Sequence, residues 1–189
     1  MISNPVTGNP DYSRLHLVCG ERGSGKTQVC AGLAQLLSLY GEDLAGLISP
    51  GVFVDGRKVG IEAYDLRSQQ RRRLAALRTE QDAAEVMTKA WTFDSASLAW
   101  GDEVLRSATP CGVLIVDELG PLEFEQRRGW TAGLDALDGG DYRMAVAAIR
   151  PELLETALQR WPGAVVHPMA SIDEVQFVFT ALSRAAAEG

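Results

Sequence analysis

The chain has 189 residues, 46% of them hydrophobic, a length that suits one substantial core and is short for two ordinary domains. Its formal charge of −7 would repel a polyphosphate backbone, which disfavours nucleic acid as a main partner. No apolar stretch approaches the roughly 20 residues of a membrane helix, and the three cysteines lack the spacing of a disulfide framework or zinc site. These features favour a single cytoplasmic domain without a membrane partner.

The first elements follow from local patterns. Residues 1–13 are rich in Asn, Pro, Gly and Ser and are predicted to form an irregular arm, with residues 14–189 as one domain. The apolar run at 15–19 predicts a strand, and apolar residues at helical spacing predict a helix over 26–40. The chain therefore begins as strand, loop and helix.

A hairpin is predicted next. The apolar run at 44–48 is followed by two strand-like segments, 52–54 and 59–64, which flank Asp55-Gly56. An Asp-Gly pair between such segments is a strong hairpin-turn signal. We expect an antiparallel ribbon at the edge of a sheet.

The second half alternates between strands and helices. Ser95 is predicted to cap a helix that runs through Leu105, and the unbroken apolar run 113–116 predicts a strand buried on both faces. The remaining predictions are helices at 127–137, 151–161 and 173–187 and strands at 144–149 and 165–166. Such alternation favours a mostly parallel sheet covered by helices on both sides, with ligands beyond the carboxyl ends of the strands.

The strongest motif is Gly-Glu-Arg-Gly-Ser-Gly-Lys-Thr at residues 20–27, which matches the phosphate-binding P-loop pattern between a strand and a helix. Its glycines let backbone N–H groups face phosphate oxygens, and the helix dipole adds positive potential. Lys26 supplies charge to the β- and γ-phosphates, and the Thr27 hydroxyl is placed to bind Mg²⁺. The predicted nucleotide-binding residues are Gly20, Glu21, Arg22, Gly23, Ser24, Gly25, Lys26, Thr27 and Gln28. A plain glycine-rich turn is the alternative.

Asp117 and Glu118 follow the apolar strand, and a buried strand does not end in two carboxylates unless they have partners. We assign Asp117 to Mg²⁺, and Glu118, as a hypothesis, to orienting or deprotonating an attacking water. The alternative is that both cap the turn at Gly120-Pro121.

Arginines are further candidates. Arg150 follows the strand at 144–149 and is predicted to stabilise charge on the γ-phosphate, or else to pair with Glu152 or another carboxylate. Residues 67–78 contain five arginines, for which a solvated helix face is favoured over a lid or a reach into a neighbouring subunit. The two histidines and four tryptophans are interpreted as structural.

The chain resembles the small P-loop nucleoside-triphosphatase family first known from thermophiles, over most of its length. Three segments carry the resemblance: residues 20–27, the ribbon 51–60 and the stretch 116–123. Phe93-Asp94 and Arg150 are weaker matches. The family implies an α/β P-loop fold, a three-layer sandwich whose mostly parallel central sheet has an antiparallel edge hairpin. It also implies Mg²⁺-dependent hydrolysis of ATP, GTP and other nucleoside triphosphates, with broad base tolerance.

Some features depart from the family or stay open. Gln28 stands where many members have a second threonine, and the arginine-rich segment is less typical. Glu123 either contacts nucleotide or holds the loop after Asp117, and with these alternatives open it is left out of the catalytic set. A kinase that uses an acceptor hydroxyl in place of water, or a nucleotide-switched regulatory module, remains an alternative.

Overall fold

The computed structural model describes residues 12–79, 87 and 90–188, and its strands form one sheet. The strands are β1 (Leu15–Gly20), β2 (Leu44–Ile48), β3 (Gly51–Val54), β4 (Arg57–Asp65), β5 (Arg71–Leu77), β6 (Trp91–Phe93), β7 (Cys111–Asp117), β8 (Tyr142–Ile149) and β9 (Val165–Met169). The helices are α1 (Lys26–Leu39), α2 (Ser95–Arg106), α3 (Pro121–Phe124), α4 (Thr131–Gly139), α5 (Leu154–Arg160) and α6 (Val175–Glu188). Short 3-10 turns lie at Tyr12–Arg14, Pro151–Leu153 and Ile172–Glu174.

The sheet has two parts, which we name the parallel half and the antiparallel extension. The parallel half has the strand order β2-β7-β8-β1-β9, so β8 lies between the strand that leads into the P-loop and the strand that ends at Asp117. The antiparallel extension consists of β3, β4, β5 and β6 and is joined to the parallel half where β4 pairs with β2.

Burial explains why the parallel half forms. Alternate residues of its strands face two separate apolar cores, so that Leu17 and Leu114 face one core and Val18 and Ile115 face the other. Helices α1 and α6 pack together at one face, and α2 and α4 pack together at the other. The predicted α/β sandwich with a mostly parallel sheet and an antiparallel edge is therefore confirmed.

The sequence predictions need correction at two helices. The helix predicted from residue 127 begins at Thr131, because Arg127 has a φ of 50° and lies in a turn. The N-cap of α2 is Asp94 and not Ser95, since the Asp94 carboxylate accepts a hydrogen bond from the Ser97 N–H. Most of the predicted arm at 1–13 lies outside the described residues, although residues 12–14 form a 3-10 turn.

The sequence favoured a solvated helix face for the arginine-rich segment, and this interpretation is wrong. Arg71, Arg72 and Arg73 are exposed residues of β5, whose Leu74 and Ala75 are buried. This strand pairs with β4, so the hairpin is extended by two further strands and is not a free ribbon. None of the helices in the described ranges is long and apolar enough to cross a membrane.

Candidate nucleotide site

The P-loop connects β1 to α1, and two of its glycines leave little room for a side chain. Gly25, the N-cap of α1, has a φ of 98°, and a Cβ atom there would lie 2.5 Å from Cγ2 of Val175. A Cβ atom at Gly20 would lie 2.4 Å from the carbonyl oxygen of Met169. The loop is therefore packed against the end of β9 and the start of α6; close approach disfavours a side chain at Gly20, and the left-handed φ favours glycine at position 25.

Lys26 is buried at the start of α1. Its ammonium donates hydrogen bonds to the carbonyl oxygens of Gly20 at 2.6 Å and Glu21 at 3.0 Å. Among the described residues, no ion pair includes Lys26, and the buried Ser24 hydroxyl has no hydrogen-bond partner. A buried cation without a carboxylate and an unpartnered hydroxyl in the same loop are the groups that an anionic ligand would satisfy.

Asp117 is fully buried at the end of β7. The Thr27 hydroxyl donates to its Oδ1 at 3.2 Å, and the Ser49 N–H donates to its Oδ2 at 3.0 Å. Burial raises the pKa of Asp117 to about 6, against the hydrogen bonds from Ser49 and Thr27, which lower it. The hydrogen bond from Thr27 thus connects α1, the helix that follows the P-loop, to the Asp117 carboxylate at the end of β7.

Thr27 and Asp117 fit a magnesium ion. Mg²⁺ prefers oxygen ligands at 2.0–2.1 Å in octahedral geometry, which puts adjacent ligand oxygens about 3 Å apart. The Thr27 hydroxyl and the Asp117 carboxylate are 3.2 Å apart. No cluster of three or more His, Cys, Asp or Glu side chains that could hold a metal ion occurs in the part of the chain described.

Glu118 and Arg150 face each other at the ends of neighbouring strands. Arg150 Nε donates to Glu118 Oε1 at 2.7 Å, and both side chains are about one third exposed. Arg150 Nη1 also lies 3.9 Å from Glu152 Oε1. Arg150 therefore emerges at the carboxyl ends of the strands, as the sequence predicted. Its guanidinium pairs there with Glu118, the residue to which we assign the orientation or deprotonation of the attacking water.

Glu123 holds the loop after β7, one of the two alternatives that the sequence left open. Its buried carboxylate accepts hydrogen bonds from the N–H groups of Gly120 at 2.8 Å and Trp130 at 3.0 Å. The described hydrogen bonds of Asp117 and Glu118 go to other partners. The alternative in which those two acids cap the Gly120-Pro121 turn is therefore wrong.

The other residues that the sequence singled out differ in their surroundings. Glu21, Arg22 and Gln28 have exposed side chains around it. The Arg72 guanidinium lies over the Trp100 ring, 4.7 Å from its centre. His16 and His167 contact each other, with Nδ1 and Nε2 2.9 Å apart.

Sequence reasoning missed Ser49, which follows β2. Its N–H and its hydroxyl hold the Asp117 carboxylate and carbonyl, respectively. The signal was present, because residues that follow neighbouring parallel strands meet at the same edge of a sheet. What was lacking was the knowledge that β2 and β7 are neighbours.

Comparison with known proteins identifies the family to which the chain belongs. A family model described as NTPase matches residues 16–167, which include the P-loop, Asp117, Glu118 and Arg150. The chain belongs to the NTPase family. It is accordingly an enzyme of the nucleoside-triphosphatase class.

Relatives support the same assignment. The chain is 27% identical over 145 residues to the nucleoside-triphosphatase THEP1 of Methanothermobacter thermautotrophicus. The aligned residues cover 76% of this chain and 80% of the relative. It is 30% identical over 109 residues to the nucleoside-triphosphatase THEP1 of Methanopyrus kandleri, 58% and 59% of the two chains.

Two solved structures share the fold. The solution structure of a human cancer-related nucleoside triphosphatase has a TM-score of 0.62 at 20% identity and covers 90% of this chain and 98% of its own. The crystal structure of THEP1 from Aquifex aeolicus has a TM-score of 0.64 at 15% identity, with coverage of 89% and 96%.

Proposed function

We propose that residues 14–189 form one cytoplasmic P-loop domain that hydrolyses nucleoside triphosphates, ATP and GTP among them, to diphosphate and phosphate with Mg²⁺. The observation that carries this proposal is the 3.2 Å contact between Thr27 and Asp117, beside the buried Lys26 ammonium. These groups supply a cation, a metal carboxylate and a hydroxyl at one sheet edge. Membership in the NTPase family supports the same reaction.

In this proposal the P-loop binds the phosphates. The N–H groups of residues 20–27 and the start of α1 would surround the β-phosphate, and the Lys26 ammonium would leave the Gly20 and Glu21 carbonyls for phosphate oxygens. Thr27 and Asp117 would hold Mg²⁺, which neutralises charge on the phosphates.

Glu118 and Arg150 are proposed to act on the γ-phosphate. Glu118 would orient the attacking water or accept its proton, and Arg150 would stabilise charge on the transferred group. The 2.7 Å pair between them keeps both side chains at the site before substrate arrives. Substrate phosphate would then compete with Glu118 for the guanidinium and leave the carboxylate for water.

Phosphate release tests the proposal. Lys26→Ala is expected to lose both nucleotide affinity and turnover, and Glu118→Gln to retain affinity while turnover falls by about 100- to 10,000-fold. Glu103→Gln, an exposed glutamate of α2, is the matched control and should keep wild-type turnover. Hydrolysis at this site would be contradicted by turnover that does not need Mg²⁺ or that survives in Lys26→Ala. It would also be contradicted if diphosphate formed only when an acceptor was added and that acceptor became phosphorylated.

A further inference from the structure

The antiparallel extension brings a second lysine to the P-loop. Lys58 lies on β4, and its Nζ is 5.5 Å from the centre of the Trp91 ring on β6. The Arg22 guanidinium of the P-loop lies 5.4 Å from the centre of the same ring. Trp91 is buried, so it is a fixed aromatic surface that two cations from distant parts of the chain share.

Lys58 is also electrostatically coupled to the proposed catalytic groups. Burial and the nearby Arg22 charge lower the pKa of Lys58, whereas Glu118 and Asp117 raise it. The stem of Lys58 passes over Gly51, since a Cβ atom there would lie 2.8 Å from its Cε. Gly51 comes two residues after Ser49, which holds Asp117. The stem of Lys58 is therefore packed against the start of β3, close along the chain to the residue that holds Asp117.

No described ion pair satisfies these two cations. Among the residues that the structure describes, neither Lys58 nor Arg22 has a carboxylate within ion-pair distance. Two like charges that converge on one ring repel each other, and an anion placed between them would remove that repulsion. The nearest anion that the proposed function supplies is the triphosphate.

We propose that Lys58 is a ligand of the γ-phosphate, delivered by the β3–β4 hairpin and positioned on Trp91. The inference rests on the proposed function and adds a contact from outside the P-loop. The coupling of Lys58 to Glu118 and Asp117 favours the γ-phosphate, because those carboxylates are assigned to the attacking water and the metal. The P-loop amides and Lys26 already cover the phosphates closer to the nucleoside.

Binding of a triphosphate and a diphosphate separates this role from a structural one. In Lys58→Met, calorimetry with Mg²⁺ should show about 10- to 100-fold weaker affinity for a non-hydrolysable ATP analogue, because one charged contact is lost. Affinity for ADP should stay close to wild type. The matched control is Arg57→Met, the exposed neighbour on the same strand, which should leave both affinities unchanged.

A second variant guards against misfolding. Lys58→Arg keeps a cation over Trp91 and should retain most of the preference for triphosphate over diphosphate. Equal losses for both nucleotides in Lys58→Met, no loss at all, or the same loss in Arg57→Met would overturn the inference. A wild-type protein that binds neither nucleotide would instead refute the proposed function itself, so the two failures are distinguishable.

Discussion

The parallel half and the antiparallel extension hold their charged groups in different ways. In the parallel half, Asp117 and Lys26 are both buried. Asp117 accepts hydrogen bonds from Ser49 and Thr27, and Lys26 donates hydrogen bonds to carbonyl oxygens of the P-loop. In the extension, Arg72 and Lys58 rest against aromatic rings. Hydrogen bonds fix the positions of the charged groups in the parallel half. An aromatic ring holds a cation of the extension nearby and leaves its N–H groups available to an anion.

The two parts also differ in burial. Strands β1 and β2 are buried along their entire length, whereas β3 has no buried residue and β5 begins with three exposed arginines. We infer that the parallel half carries the stability and the phosphate and metal ligands, and that the extension contributes charge from outside. Matched substitutions in the two parts test this division.

The largest expected effect is on stability. Leu114→Ala in β7 removes a fully buried side chain from one of the two apolar cores and should lower the free energy of unfolding by about 2–5 kcal/mol. Leu77→Ala in β5 changes a side chain that is 47% exposed and should cost about 0.5 kcal/mol. Chemical denaturation measures both values. Equal losses would show that the extension is as integral to the core as the parallel half.

The next effect is on turnover. Arg150→Ala should lower kcat about 100-fold, because it removes the cation proposed to stabilise charge on the γ-phosphate. Arg73→Ala removes an exposed arginine of β5 and should leave kcat unchanged. Steady-state phosphate release from both variants provides the comparison. A wild-type kcat in Arg150→Ala would mean that this arginine only pairs with Glu118 and Glu152.

The smallest effect concerns pH. The pKa of Asp117 is raised from 3.8 to about 6 by burial, so ionisation opposes folding, and stability is lost as pH rises through that window. Without Mg²⁺, Asp117→Asn should therefore be more stable than wild type at pH 8, by on the order of 2 kcal/mol, and similar at pH 4.

Thermal unfolding across that pH range measures the difference. Asp55→Asn, at the exposed tip of the hairpin, is the control and should follow the wild-type curve. A stability difference that does not change between pH 4 and pH 8 would contradict the assigned cause.

Much of the parallel half could be predicted from the sequence. The apolar runs that became β1, β2 and β7 are buried on both faces, so composition alone identifies them. The P-loop is equally local, since its glycines, Lys26 and Thr27 lie within eight residues. These features depend on neighbours along the chain and not on the tertiary fold.

The extension and several site residues could not be predicted in this way. Residues 71–77 read Arg-Arg-Arg-Leu-Ala-Ala-Leu, which suits a helix, yet pairing with β4 makes them a strand. Ser49 meets Asp117, and Lys58 meets Trp91, only because of the strand order. One sequence contains no information about that order, so these contacts required the structure.

The most direct test of the account is a titration of the wild-type protein and Asp117→Asn with a non-hydrolysable ATP analogue, each with and without Mg²⁺. We predict that Mg²⁺ tightens binding by wild type and that this gain is lost in Asp117→Asn, whose P-loop still binds the metal-free nucleotide. Binding that is equally dependent on Mg²⁺ in both proteins, or no binding by wild type, would contradict a nucleotide and metal site formed by the P-loop and Asp117.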